Sequence, residues 1–341
     1  MPYNPKNYTH FQMIAYETPT LHPAPAGGNA PAIGDVPVED PGNADAYTRL
    51  LRLAWVVEQA YQQVFAAGDN ANTLKVFMVP EFYFRPDDGP SNSYDMVTGG
   101  AIVKALSSMF ANDKFEHWLF VVGSIFYYVD AGTRIHWNDA YIVKGGYTGI
   151  DLPTKLVTKR KISSIDGANP ISSPANHFKL SDYLGTWATR QKNLGYIDNL
   201  LYGIEICLDH GLTYEGGKKG FLRDTAKEYS VYHGTPYPVK LHFLTACGMP
   251  LKPCAVAAKV GGYVLRVDGH YCCQPGIWNV PFSQCAKVTA QDLEGGVTLD
   301  ANLAEAWHFD IPLLQRAPVV ANPVEVAAVT QRVVAYQVAE L

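Results

Sequence analysis

The chain has 341 residues, 48% hydrophobic and 17% charged, with a formal net charge of -5, values that suit a globular protein with a large core. With no Lys/Arg-rich run to set against that balance, nucleic acid is not the expected partner. No apolar stretch nears the roughly 18 residues of a membrane span, and Met1 to His10 lacks the charged-then-apolar order of a signal peptide.

In chain order, His10 to Glu17 reads as a first strand, with Phe11, Met13 and Ala15 alternating against Gln12, Ile14 and Tyr16. A Pro-, Gly- and Asn-rich loop spans 19–43, long enough to be a functional rim. Ala44 to Ala67 carries the helical stripe Tyr47, Leu50, Leu51, Ala54, Val57, Tyr61, Val64, Phe65 and stops at Gly68. Leu74 to Val79 is a buried strand running into Pro80-Glu81. A helix over Val97 to Phe110 follows, then strands at Trp118 to Tyr128 and Asp139 to Lys144. Lys155 to Ile162 reads as a strand opening an irregular stretch at 163–193. Leu200 to Ile206 is a strand ending on Cys207. A helix from about Lys218 to Val231 leads to a strand at Lys240 to Thr245. Apolar segments at Cys254 to Val260 and Tyr263 to Val267 precede a terminal region that includes Trp307 to Pro312. Strands alternate with helices, and no linker or repeat divides the chain, so residues 1–341 are expected to form one α/β domain.

Six cysteines (207, 247, 254, 272, 273, 285) in so long a chain do not make a disulfide framework, which points to a reducing cytoplasm. Three strands finish on reactive groups. One delivers the carboxylate Glu81, one the ammonium Lys161 within the cationic cluster Lys159-Arg160-Lys161, and one the thiol Cys207. Groups just past the carboxyl ends of such strands converge on one crevice. A thiol with a carboxylate to take its proton and an ammonium to stabilise developing charge is a complete acyl-transfer set. Strand alternation places Lys159 and Lys161 on the same face, so periodicity does not choose between them.

Pro80-Glu81, Arg160-Lys161 and Ile206-Cys207-Leu208-Asp209, in that order, resemble the carbon–nitrogen hydrolases of the nitrilase superfamily. The intervals, 80 residues from Glu81 to Lys161 and 46 from Lys161 to Cys207, are similar too. Trp137 to Val143 resembles the family's N-x-A strand, and Ala255 to Val267 its helix-then-strand. Two departures stand out. Lys159 occupies the place of the family's usual aromatic, and no second glutamate occurs between Lys161 and Asn199. Asp166 is the acidic residue nearby, and the sequence assigns it no role.

The resemblance implies a four-layer αββα sandwich that self-associates as a homodimer or larger homo-oligomer. It also implies Cys207 as nucleophile, Glu81 as general base and later acid, and Lys161 as electrostatic stabiliser, with the backbone N–H of Leu208 sharing the oxyanion. Tyr83, Asp209, His210 and Cys247 are candidates for the pocket by position. Nothing points to a cofactor. A metal site from His177, His210, His233 or His242 has no i, i+4 His pair or CxxC behind it. Leu208-Asp209 after the cysteine favours an amide, carbamoyl or related small-molecule substrate over a nitrile. The rival from another class is a catalytically silent sandwich that serves as a binding scaffold.

Overall fold

Alternate residues of the first strand enter two different cores, and that division organises the molecule. In β1 (His10–Glu17), Phe11, Met13 and Ala15 join one apolar cluster while Ile14 and Tyr16 join another. A strand buried on both faces lies inside a layered α/β structure. The computed structural model describes residues 5–20, 36–86, 93–130, 134–147, 154–161, 163, 166, 193–211, 220–234, 239–269, 282–292, 296–311 and 331–341.

After β1 come α1 (Ala44–Ala66), β2 (Thr73–Val79), the short β3 (Tyr94–Asp95), α2 (Met96–Met109), β4 (Trp118–Asp130), β5 (Arg134–Lys144) and β6 (Thr154–Thr158). The second half holds β7 (Leu194–Ile197), β8 (Leu200–Ile206), α3 (Phe221–His233), β9 (Leu241–Ala246) and β10 (Tyr263–Asp268). It continues with β11 (Ser283–Asp292), β12 (Gly296–Asn302), β13 (Glu305–Ile311), β14 (Gln331–Tyr336) and β15 (Ala339–Glu340). One sheet runs β13-β14-β1-β2-β4-β5-β6, with β15 on β1 and β3 on β4, and the other runs β12-β11-β10-β9-β8-β7. β1, β2 and β4 are mutually parallel, as are β8, β9 and β10.

Met13, Val76 and Val121 of the first sheet share an apolar layer with Ile204, Phe243 and Leu265 of the second. On its other face the first sheet packs Phe77 and Phe120 with Leu50 and Leu53 of α1 and Leu106 of α2. Leu201 of the second sheet packs with Leu222 and Ala226 of α3. Each fully buried Leu or Phe contributes about 1.5–3 kcal/mol, so these layers hold the sheets in register. Asn43 starts α1 by accepting a hydrogen bond from Ala46 N at 3.1 Å, a cap typically worth about 1 kcal/mol.

The predicted elements are present, with instructive shifts. The strand expected to reach Ile162 ends at Thr158: after one last bond from Lys159 N to β5, the amides of Arg160 and Lys161 turn to a side chain. The helix expected from Lys218 begins at Phe221 after Gly220 (φ 81). No helix forms in Ala255 to Val260; a single 3-10 turn, Pro253–Ala255, precedes β10. Trp307 and its neighbours form an outer strand, and Ile162, His177, Cys272, Cys273 and Pro312 lie outside the described residues, as does most of 19–43 and 163–193. Among the described residues, no helix is long and apolar enough to cross a membrane.

Candidate active site

Glu81 follows β2 by two residues, and the turn that carries it is clamped from three directions. Phe82 N donates to Ser124 Oγ of β4 at 2.9 Å, Arg49 of α1 donates to Tyr83 O at 3.1 Å, and Thr245 of β9 donates to Val79 O at 3.0 Å. Gly123 permits the first approach: a Cβ there would lie 2.1 Å from Pro80 O, and its φ is +57. The carboxylate is fully buried. Its Oε1 accepts from Lys159 Nζ at 2.8 Å and from Asn138 Nδ2 at 2.9 Å, while its Oε2 has no hydrogen-bond partner. A buried acceptor left unused costs about 1–3 kcal/mol, and here it marks the point where the carboxylate is free to take a proton.

The cation beside it is Lys159, not Lys161. Lys159 N makes the last ladder-like bond, to Asn138 O at 2.8 Å, and its buried Nζ reaches Glu81 and both oxygens of Asp166, the latter at 2.9 Å. Beyond it, Arg160 N and Lys161 N donate to the Asp209 carboxylate, at 3.0 Å and 2.7 Å. Those bonds pull the chain off the strand before Lys161, whose place on the Lys159 face assumed a strand that continues. Asp166 takes a second bond from Asn138 Nδ2 at 3.1 Å, so one amide and one ammonium tie the two carboxylates together.

Cys207 follows β8 with a left-handed backbone (φ 47) and opens the 3-10 turn Cys207–Asp209. A non-glycine residue in that region costs on the order of 1–3 kcal/mol and persists only where its surroundings impose it. Asp209, two residues on, is fully buried and bound to the amides of Arg160 and Lys161, so the turn of the thiol and the segment of the ammonium are tied through one carboxylate. Leu208 N–H lies in the first turn, whose amides a helix leaves without internal partners. Cys207 Sγ donates to Cys247 O at 3.6 Å.

Burial raises the Glu81 carboxyl to about 7; Asp166 adds to the shift, and Lys159 and the neighbouring Cys207 thiol oppose it. Burial and the Glu81 charge push the Cys207 thiol well above its ordinary value, with Lys159 pulling the other way. Burial works against the Lys159 charge, but Asp166, Glu81 and Cys207 together raise it well above the usual lysine value. These shifts favour the neutral form of the thiol and the charged form of the lysine, and bring the carboxyl to about 7. That is the electrostatic arrangement a general base needs.

The solved structures to which the chain is similar include amidases. The chain is similar to a mutant of the amidase from Nesterenkonia sp. AN1 in complex with butyramide (TM-score 0.44, 12% identity, 85% of this chain and 89% of that chain). It is also similar to an N-terminal amidase with Gln-Gly peptide (TM-score 0.35, 12% identity), covering 70% of this chain and 48%, about half, of that one. No family model and no curated protein matches the sequence. The chemistry rests on the residues themselves.

The predicted wall residues separate. Tyr83 turns away into the core beneath α1, where its hydroxyl donates to Arg49 O at 3.1 Å and its ring packs on Tyr16. Phe82, with φ 62, takes the inward place: its ring clusters with Phe126 and Cys247, and Lys159 Nζ lies 5.4 Å from its centroid. Position alone suggests Tyr83, and the left-handed Phe82 turns its own ring inward instead. Asp209 is a strap between strand ends rather than a pocket group. Burial raises it to about 7 against the pull of the Arg160 and Lys161 amides.

His210 belongs to a second buried cluster, with Glu205 and His242, whose ligand atoms all lie within 4.8 Å of one another. His210 Nδ1 is 2.6 Å and His242 Nε2 3.2 Å from Glu205 Oε2, and Glu205 Oε1 accepts from Leu222 N at 2.5 Å. The opposite ring nitrogens accept backbone amides: Lys252 N donates to His210 Nε2 at 3.0 Å, and Ala257 N to His242 Nδ1 at 3.1 Å. Each imidazole must then carry its proton on the nitrogen facing Glu205, where a metal would need a bare lone pair. The cluster fits a structural network and does not fit a metal ion.

Sequence reasoning gave no role to Asn138, Asp166 or Phe82. The first two carried a signal, since a second acidic residue and an Asn-bearing strand stood beside the three motifs. Nothing in the sequence marked Phe82.

Proposed function

We propose that the protein is a thiol hydrolase of a non-peptide C–N bond, an amide or carbamoyl group, acting through Cys207, Glu81 and Lys159 on a four-layer αββα frame. The observation that carries this reading is the unused Oε2 of the buried Glu81, held beside a buried ammonium and a thiol on a strained turn. Glu81 removes the thiol proton as sulfur attacks the carbonyl carbon. The resulting oxyanion faces Lys159 Nζ and the Leu208 N–H. The C–N bond breaks as Glu81 returns the proton to the leaving nitrogen, releasing ammonia or an amine and leaving a thioester. Glu81 then deprotonates a water that attacks the thioester, and the acid departs as the thiolate is reprotonated.

Ammonia release from a panel of amides, ureido acids and nitriles, with intact-mass detection of the acyl-enzyme, tests the reading. Adduct and turnover are expected in the wild type and absent in Cys207→Ala. Conversion confined to nitriles overturns the amide preference. An unreactive Cys207 overturns the enzyme reading in favour of the scaffold.

A further inference from the structure

Asn138 on β5 meets three parts of the site at once. Its carbonyl accepts the Lys159 amide at 2.8 Å, and its Nδ2 donates to Glu81 Oε1 at 2.9 Å and to Asp166 Oδ1 at 3.1 Å. The residue is only 6% exposed, yet its Oδ1 has no hydrogen-bond partner among the described residues. A buried acceptor left unpaired costs stability, so an amide half-used in this way is a poor choice for the fold alone. Its donors are what the site keeps.

Those donors bear on a carboxyl that must change state twice. Lys159 Nζ, which can only donate, meets the same Oε1 at 2.8 Å. A proton on Oε1 would therefore face two donors and no acceptor, whereas the unpartnered Oε2 has no such conflict. The ionisable groups acting on Glu81 come from four segments: Lys159 and Asp166 after β6, Cys207 after β8, Cys247 after β9, and Arg85 on the Glu81 segment itself. Asn138 differs from all of them in being a neutral donor, whose charge cannot change as Glu81 titrates.

We infer that Asn138 is a positioning residue that keeps Glu81 Oε1 an acceptor in both states of the carboxyl, so that Oε2 alone takes the thiol proton and later delivers it. The S–H bond breaks and an O–H bond forms on Oε2 as sulfur bonds to carbon. That O–H bond then breaks as the proton joins the leaving nitrogen and the C–N bond opens. No rotation of the carboxyl separates the two transfers. The inference rests on the hydrolase reading above and concerns the placement of its proton.

Two measurements test it. In the wild type, infrared difference spectra between acid and neutral pH read which oxygen is protonated, the band being assigned by its loss in Glu81→Gln. A carbonyl at Oε1 that receives two hydrogen bonds is expected at the low-frequency end of the carboxylic-acid range, and should move up in Asn138→Leu. A wild-type band at the free-carbonyl end overturns the inference, and that arm needs no change at Asn138.

The second is the pH dependence of Cys207 alkylation by iodoacetamide, located by mass spectrometry. Glu81, whose carboxyl lies at about 7, serves as base only when ionised, and a donor to the ionised form lowers its pKa. Asn138→Leu should therefore move the acid limb of the alkylation rate up by about one pH unit. An unmoved limb overturns the inference, while alkylation of the wild type leaves the hydrolase reading standing. A wild-type Cys207 that neither alkylates nor forms an acyl adduct overturns that reading and the inference together.

Discussion

Two buried ionisable clusters flank the turn at Cys207, and they differ in what they leave unused. In the Glu205 cluster the backbone amides of Leu222, Lys252 and Ala257 take up the carboxylate and imidazole acceptors. In the Glu81 cluster one carboxylate oxygen is unpartnered, and the adjoining Cys207 is strained. The two also respond oppositely to burial. Glu81 rises to about 7, whereas at Glu205 the His210 and His242 bonds overcome desolvation and lower the carboxyl to about 2. Burial of charge alone therefore does not distinguish these two clusters; an unused carboxylate oxygen beside a thiol does.

The sharpest way to break this comparison is to exchange the two lysines. Lys159→Met is expected to lower kcat/KM on the best amide by at least about 10³-fold, the upper end for loss of one oxyanion donor, and Lys161→Ala by less than about threefold on the same scale. The reverse ranking in steady-state kinetics would return the role to Lys161.

Next in size, Glu205→Gln is expected to cost about 2 kcal/mol in urea unfolding at neutral pH, as for weakened hydrogen bonds to a buried charged group. Because the folded pKa of Glu205 lies below its ordinary value of 4.5, its contribution is complete above that value and fades as pH falls toward 2. The gap between wild type and variant should therefore close in acid. A constant gap would deny that the ionised carboxylate carries the contribution.

A smaller effect belongs to Asp166. Its charge raises the Glu81 pKa, so Asp166→Asn should move the acid limb of the kcat/KM profile to lower pH, with a rate loss of about tenfold from a less firmly held Lys159. An unmoved limb would separate Asp166 from Glu81. The least effect is expected at Tyr83→Phe, which removes one hydrogen bond to Arg49 O worth about 1 kcal/mol of stability. A raised KM there would restore Tyr83 to the pocket.

Strand ends were legible because apolar runs stop where the ladder stops, so Glu81 and Cys207 could be located from residues alone. The choice of lysine was not, since β6 ends at Thr158 through the claim of Asp209 on two amides 48 and 49 residues away. Phe82 in place of Tyr83 was hidden for a related reason. Alternation holds only while φ stays in the extended region, and one left-handed residue reverses which side chain faces inward. The Glu205 network escaped because it joins a strand residue, a turn and a neighbouring strand, and no local spacing encodes that.

The positive φ of Cys207 also leaves a signature for variants that abandon the chemistry. Glycine adopts that region without steric cost, so Cys207→Gly should fold more stably than Cys207→Ala, although each lacks the thiol. Keeping a bulky sulfur where the backbone would settle more easily around a hydrogen is a standing tax on the fold. A descendant released from catalysis would be expected to shed the side chain at this position first.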